Sequence, residues 1–142
     1  MFKRLLVLLI GALLLFGLAA CESVKSVTSN VTVGKVIEEF KAAGLEAENP
    51  SDLLEKEFGN TRKEAKRILA PALGEDSSGR IFEFKNKEDL EKAKKYYDDL
   101  GNGNQMLLSH TYAKGNFLIQ MNGEMEDAQF NKYKEVMDKV IK

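Results

Sequence analysis

Three stretches of the chain place apolar residues three or four positions apart, which is the spacing of amphipathic helices. The first stretch begins after Thr32, a suitable N-cap, and ends at Gly44. The second begins at Asn86 and ends at Gly101, and the third follows a turn at Asn122-Gly123. The apolar positions are Val33, Val36, Ile37, Phe40 and Ala43, then Leu90, Ala93, Tyr97 and Leu100, then Phe130, Tyr133, Val136, Met137, Val140 and Ile141.

Other stretches alternate between apolar and polar side chains, which is the strand pattern. Strands are predicted over 80–85, 106–113 and 116–121, and Lys114-Gly115 between the last two indicates a hairpin. One face of the last strand would carry Phe117, Ile119 and Met121.

Two segments lie between the first helix and these strands. Pro50-Ser51-Asp52 predicts the start of a short helix that ends at Gly59-Asn60. Its inward side chains would be Leu53, Leu54 and Phe58. The segment 61–69 fits either a helix capped by Thr61 or the approach to a strand over 66–72.

Together the elements predict one α+β domain over 31–142. It would contain an antiparallel sheet of about four strands, covered by helices on one face and preceded by a helical segment. If 66–72 is a strand, the order strand-strand-helix occurs twice. The stretches 80–97 and 116–133 would then be equivalent parts of a duplicated unit.

The N-terminus has the pattern of a secretory signal. Lys3 and Arg4 precede fourteen residues, 5–18, that have no polar side chain. A helix of that length reaches about 21 Å, which is short of the ~30 Å hydrocarbon core of a bilayer. A cleaved signal peptide over 1–20 is therefore predicted in preference to an uncleaved membrane anchor.

The run Leu18-Ala19-Ala20-Cys21 ends this segment and resembles the lipobox of bacterial lipoproteins. The resemblance implies cleavage between Ala20 and Cys21 and a diacylglycerol lipid on the Cys21 thiol, with no other cofactor. It implies an anchor on the extracytoplasmic face of a bacterial plasma membrane. The small polar segment 21–30 would be a flexible tether.

Three later segments, 44–50, 73–84 and 118–123, resemble a group of small lipoproteins of Gram-positive, Bacillus-like bacteria. The group carries no catalytic signature in these segments. The resemblance therefore implies an envelope location and no particular reaction.

Charge and composition narrow the classes of partner. Loss of the first 20 of 142 residues would leave 122, with 19 basic and 22 acidic side chains. This weak negative balance argues against a nucleic-acid partner. The single cysteine would carry lipid, so no disulfide is expected.

Candidate catalytic and metal-binding groups are few. His110 is the sole histidine, and Ser109 beside it would point to the opposite face of a strand. One histidine and no free thiol are too few ligands for zinc. The segment 74–79 has two carboxylates but lacks the ligand spacing of an EF-hand, so a solvated turn is favoured over calcium binding. No catalytic residue and no metal ligand is assigned.

Candidate binding residues are a basic group at helical spacing and two tyrosines outside the predicted core: Arg62, Lys63, Lys66, Arg67, Tyr96 and Tyr112. Tyr97, Phe117 and Tyr133 are expected in the core. The favoured function is a non-enzymatic, membrane-anchored binding module of the cell envelope with an unknown protein, peptide or glycan partner. The alternatives are a phage or mobile-element immunity lipoprotein and a small envelope hydrolase.

Overall fold

A computed structural model describes residues 30–75 and 77–142 of the chain. The predicted signal peptide, the Ala20-Cys21 processing site, most of the tether and Asp76 lie outside these residues. Residues 32–142 form one compact unit. Among the described residues, no helix combines the length and apolar character needed to cross a bilayer. The helices are α1 (Val33–Ala42), α2 (Lys87–Gly103) and α3 (Asp127–Val140), and the strands are β1 (Glu48–Asp52), β2 (Arg62–Leu69), β3 (Ser78–Phe84), β4 (Ser109–Lys114) and β5 (Phe117–Asn122).

The α+β class is confirmed, with an antiparallel sheet of five strands in the order β1-β2-β3-β5-β4. The prediction of about four strands missed β1, which includes residues 50–52 at the start of the expected short helix, and residues 55–61 form turns where the rest of that helix was expected. Asp52 pairs with Lys66 on β2, and the hydrogen bonds of this pairing hold β1 as a strand. Pairing between distant segments therefore outweighs the local pattern of a helix start. Leu54, predicted to face inward, is 62% exposed.

The helices cover both faces of the sheet, whereas the sequence predicted one covered face. Phe82 and Leu118 pair across β3 and β5 and pack beneath Tyr97 of α2. Ile81 and Ile119 pair on the opposite face, which α1 and α3 cover. Strand β5 is apolar in nearly every position, so it places apolar side chains on both faces of the sheet. Residues Phe117 to Met121 are all buried, because helices pack on each of these faces.

The predicted starts of α1 and α2 are correct. The Thr32 hydroxyl accepts a hydrogen bond from the Lys35 amide at 3.1 Å, and the Asn86 side chain accepts one from the Asp89 amide at 2.9 Å. Several other boundaries differ from the prediction, and β2 spans Arg62–Leu69 rather than 66–72. Helix α2 continues to Gly103, and β4 begins at Ser109 because Gln105–Leu107 form a 3₁₀ turn.

The element order strand-strand-helix does occur twice, as β2-β3-α2 and β4-β5-α3. The two helices nevertheless lie on opposite faces of the sheet. A twofold rotation that exchanges neighbouring antiparallel strands would keep both helices on the same face. Tyr97 and Tyr133, which the prediction treats as equivalent, therefore pack on opposite faces of the sheet. The two halves share the order of their elements but not their arrangement in space.

Candidate functional site

A groove of about 500 Å³ lies on the α2 face of the sheet. It lies at the end of the sheet where β3 and β4 begin and β5 ends. We call it the Arg80 groove, after the residue on its floor. Its walls come from the turn after β1, from α2 and from the 3₁₀ turn that precedes β4.

The floor of the Arg80 groove is a connected set of polar side chains. Arg80 Nε donates to Glu57 Oε1 at 2.8 Å, and Arg80 Nη1 donates to Gln120 Oε1 at 3.1 Å. Gln120 Nε2 donates in turn to Ser109 Oγ at 2.8 Å. The Arg80 and Glu57 side chains are only 28% and 22% exposed, so their charges are largely removed from water. Two bonds from one planar guanidinium fix its orientation.

One wall of the groove is aromatic and contains a strained residue. Phe58 has a φ of +63°, a left-handed conformation that is costly for a bulky side chain. This conformation is accompanied by edge-on packing of its ring against Tyr96 and Tyr97, at centroid distances of 5.6 and 6.0 Å. Burial raises the pKa of Tyr97 to about 12. Tyr96 is half exposed and borders the opening.

The opposite rim is an apolar lip formed by Met106, Leu107 and Leu108, which are 91%, 48% and 48% exposed. The lip is held by backbone contact with two glycines. A Cβ at Gly123 would lie 2.5 Å from the Leu108 carbonyl oxygen, and a Cβ at Gly101 would lie 2.5 Å from Leu108 Cδ2. The Gly123 amide also donates to Leu108 O at 2.9 Å. These contacts hold Leu108 against α2 with about half of the residue exposed, whereas Met106 is almost fully exposed.

The predicted basic cluster does not form a helix face, because its residues belong to β2 and a β-bulge separates Arg62 from Glu64. Arg62 Nη2 donates to the carbonyls of Leu53 and Leu54 at 3.1 and 3.2 Å. Lys63 and Lys66 pair with Glu83 and Asp52 at 3.4 and 2.5 Å. Arg67 lies directly opposite Arg80 in the sheet register. Strand geometry therefore disperses the cluster, and only Arg67 lies beside the groove.

The two candidate tyrosines lie in different places. Tyr96 borders the Arg80 groove, as described above. Tyr112 lies on the α3 face, where its hydroxyl donates to Asp138 Oδ1 at 2.5 Å. This hydrogen bond is the main cause of a raised pKa for Tyr112. Lys134 Nζ lies 5.6 Å from the centre of the Tyr112 ring. Tyr97, Phe117 and Tyr133 are buried, as predicted.

His110 lies in a separate surface depression with Asp127, and its ring stacks on Phe130 at 4.9 Å. Its Nε2 lies 2.6 Å from the Met125 carbonyl oxygen, and its Nδ1 lies 3.7 Å from Asp127 Oδ1. The Ser109 hydroxyl is on the opposite sheet face, as predicted, where it accepts from Gln120. Among the side chains that the structure describes, the histidine therefore has a carboxylate neighbour but no hydroxyl aligned with it as a nucleophile.

Within residues 30–75 and 77–142, no three His, Cys, Asp or Glu side chains are grouped to hold a metal ion. The segment proposed as a solvated turn closes through a hydrogen bond of 3.1 Å from the Ser77 amide to Gly74 O. Its second carboxylate, Asp76, lies outside the described residues.

Sequence reasoning missed most of the Arg80 groove. Arg80 and Glu57 are 23 positions apart, and neither is among the binding residues predicted from the sequence. The apolar lip was assigned to the start of a strand. Its signal was three consecutive apolar residues without alternation after Asn104-Gln105, a pattern that does not fit a half-exposed strand.

Comparison of the chain with known proteins found no matching family model, curated protein or solved structure.

Proposed function

We propose that this protein is a lipid-anchored protein of the bacterial cell envelope that binds a ligand in the Arg80 groove and catalyses no reaction. The main observation in support of a binding function is the exposed apolar lip. Met106, Leu107 and Leu108 are adjacent in sequence, exposed to water and held in place by Gly101 and Gly123.

An exposed apolar cluster with a fixed backbone is typical of an interaction surface. Burial of apolar surface contributes roughly 25 cal/mol per Å², so a ligand that covers the lip gains affinity without having to order it first. The left-handed Phe58 supports the same location, because backbone strain accumulates at functional sites.

The polar floor supports binding rather than catalysis. Arg80, Glu57 and Gln120 form an ion pair and an amide network, in which each named group already has a partner. Such groups orient a ligand through hydrogen bonds and charge. A nucleophile activated by an adjacent base is not part of this network.

The anchor part of the proposal depends on the sequence. The lipobox-like run that ends at Cys21 follows a segment of signal-peptide length, and two acyl chains are sufficient for stable retention on a bilayer. The described domain would then be held close to the outer face of the plasma membrane by the segment 21–30.

Site-specific photo-crosslinking in living cells tests the binding function. A photoreactive amino acid is placed at position 106 of the full-length chain, and in a matched strain at position 54. Leu54 is also an exposed apolar residue, at 62%, and lies outside the groove. We expect a discrete cross-linked species from position 106 alone. Equal cross-linking from both positions, or none from position 106, would contradict the proposal.

A further inference from the structure

We infer that the ligand of the Arg80 groove is a short peptide segment with a large apolar side chain next to a carboxylate. This inference rests on the proposed binding function and specifies its ligand. It is based on the charge of the groove, on the donors left on its floor and on the distribution of polar and apolar wall.

The charge of the groove is opposite to that of the chain. Lys56, Glu57 and Arg80 line it, and Arg67 lies beside Arg80 on the neighbouring strand. Glu57 is engaged by Arg80, which leaves a local excess of positive charge in a protein whose formal net charge is −1. A partly buried site of this kind attracts an anion more strongly than the exposed lysines of the helices do.

The Arg80 guanidinium is oriented to bind a carboxylate. Its Nε and Nη1 atoms are occupied by Glu57 and Gln120, and Nη2 has no hydrogen-bond partner among the residues that the structure describes. The guanidinium stays charged at all physiological pH values, and its orientation is already fixed. A carboxylate oxygen at Nη2 would make a charge-assisted hydrogen bond without reorganisation of the side chain.

The wall of the groove favours a peptide over a lipid tail. Its apolar surface is divided between the aromatic wall and the apolar lip, with polar groups between them on the floor, so no continuous apolar channel is formed for an acyl chain. The groove also presents hydroxyl and amide groups from Ser78, Ser109 and Asn122, which suit the N–H and C=O groups of a peptide backbone. The volume of about 500 Å³ lies within the ~300–1,000 Å³ range of pockets that hold small ligands.

The test uses the full-length lipidated chain in detergent and fluorescein-labelled tetrapeptides. The probe is Gly-Ser-Leu-Leu with a free C-terminal carboxylate. Its comparison peptides are the same sequence with a C-terminal amide, and Gly-Ser-Ala-Ala with a free carboxylate. Fluorescence anisotropy measures each Kd. We expect the probe to bind about tenfold more tightly than either comparison peptide, because each lacks one of the two recognised groups.

Substitutions in the groove test whether the preference for the probe peptide arises there. Met106→Ser should weaken binding of the probe about fivefold or more, whereas Leu54→Ser, the matched exposed control, should leave its Kd unchanged. Arg80→Gln should remove the preference for carboxylate over amide, and a melting curve shows whether this variant is folded. Lys56→Gln, which changes a residue on the rim of the groove, should reduce the same preference with the Arg80 network intact.

Three results would overturn the inference: equal Kd values for the carboxylate and amide peptides, no binding of the probe, or Met106-dependent binding of dodecanoate or phosphatidylglycerol vesicles in its place. Cross-linking at position 106 in cells together with no peptide binding would show that the peptide assignment is wrong and that the binding function stands. Absence of both would contradict the function as well.

Discussion

Gly101 of α2 lies so close to Leu108 that a Cβ on the glycine would be 2.5 Å from Leu108 Cδ2 and 3.3 Å from Leu108 Cα. The helix thus provides space for the turn that carries the apolar lip. This contact joins a core helix to a cluster of three adjacent exposed apolar residues. The position of the lip therefore depends on the absence of a side chain at residue 101.

Gly101→Ala should destabilise the domain even though alanine favours helices. Leu108 Cδ2 can turn aside because this residue is about half exposed, but Leu108 Cα, 3.3 Å from the new Cβ, is a backbone atom and can move only with the turn. Overpacking costs typically ~1–3 kcal/mol, against the ~1 kcal/mol by which helix propensity favours alanine over glycine, so we expect a net loss of up to ~2 kcal/mol. Gly103→Ala is the control, because its Cβ would meet nothing within 4 Å. That variant should be as stable as the parent or ~0.4–1 kcal/mol more stable. Urea unfolding measures both. Stabilisation by Gly101→Ala would show that the lip moves away freely.

Phe130→Ala should lower the free energy of unfolding by about 3–5 kcal/mol, a large share of the ~5–15 kcal/mol of an ordinary domain. The Phe130 ring is 4% exposed and stacks on His110. Lys132→Ala, on the solvent side of α3, should change the melting temperature little. A parental melting temperature for Phe130→Ala would mean that the apolar stripe of α3 does not hold the sheet.

Local signals predicted most of the fold, because they act over a few residues. Thr32 and Asn86 satisfy free helix amides three residues away, and the alternation at Phe82 and Phe84 determines which sheet face they occupy. The helix predicted at Pro50 failed for the opposite reason. Its first residues, 50–52, belong to a strand that pairs with β2, and nothing in their own sequence encodes that distant partner.

The candidate site depended still more on distant contacts. Arg80 meets Glu57 and Gln120 across three separate elements, and the exposure of Met106 depends on glycines at both sides of its turn. No spacing rule connects these positions. Tyr96 was predicted as a binding residue because it fell outside the core stripe of α2, and such a pattern can exclude a residue from the core without locating its neighbours.

Ionisation of the Tyr133 hydroxyl should lower the free energy of unfolding at alkaline pH. Burial raises its pKa from 10.0 to about 12. The unfolded chain therefore releases this proton at lower pH than the folded chain, so the stabilisation is complete below pH 10 and is lost as the pH approaches 12. The loss between pH 9 and pH 11 should be about 1 kcal/mol for this one group. Urea unfolding at the two pH values measures it.

Tyr133→Phe isolates this contribution. The variant loses the hydrogen bond of 2.7 Å from the Tyr133 hydroxyl to Glu46 O, so it should be about 1 kcal/mol less stable than the parent at neutral pH. The difference should shrink as the pH rises to 11, because the variant has no hydroxyl to ionise. A difference that stays constant from neutral pH to pH 11 would contradict the assignment.

Cys21→Ala should abolish lipid attachment and leave an unprocessed precursor. The thiol is the acylation site that the lipobox resemblance implies, and it is the only cysteine in the chain. Acyl chains contribute ~0.8 kcal/mol per buried CH₂, so a modified chain should stay with membranes through high-salt washing. Labelling with radioactive palmitate, followed by gel electrophoresis of membrane fractions, measures lipid and processing together. Lys25→Ala, in the tether, is the control and should be labelled and processed like the parent. If Cys21→Ala were labelled and cleaved normally, residues 1–21 would be a signal of another kind, and the anchor would have to be sought elsewhere in the chain.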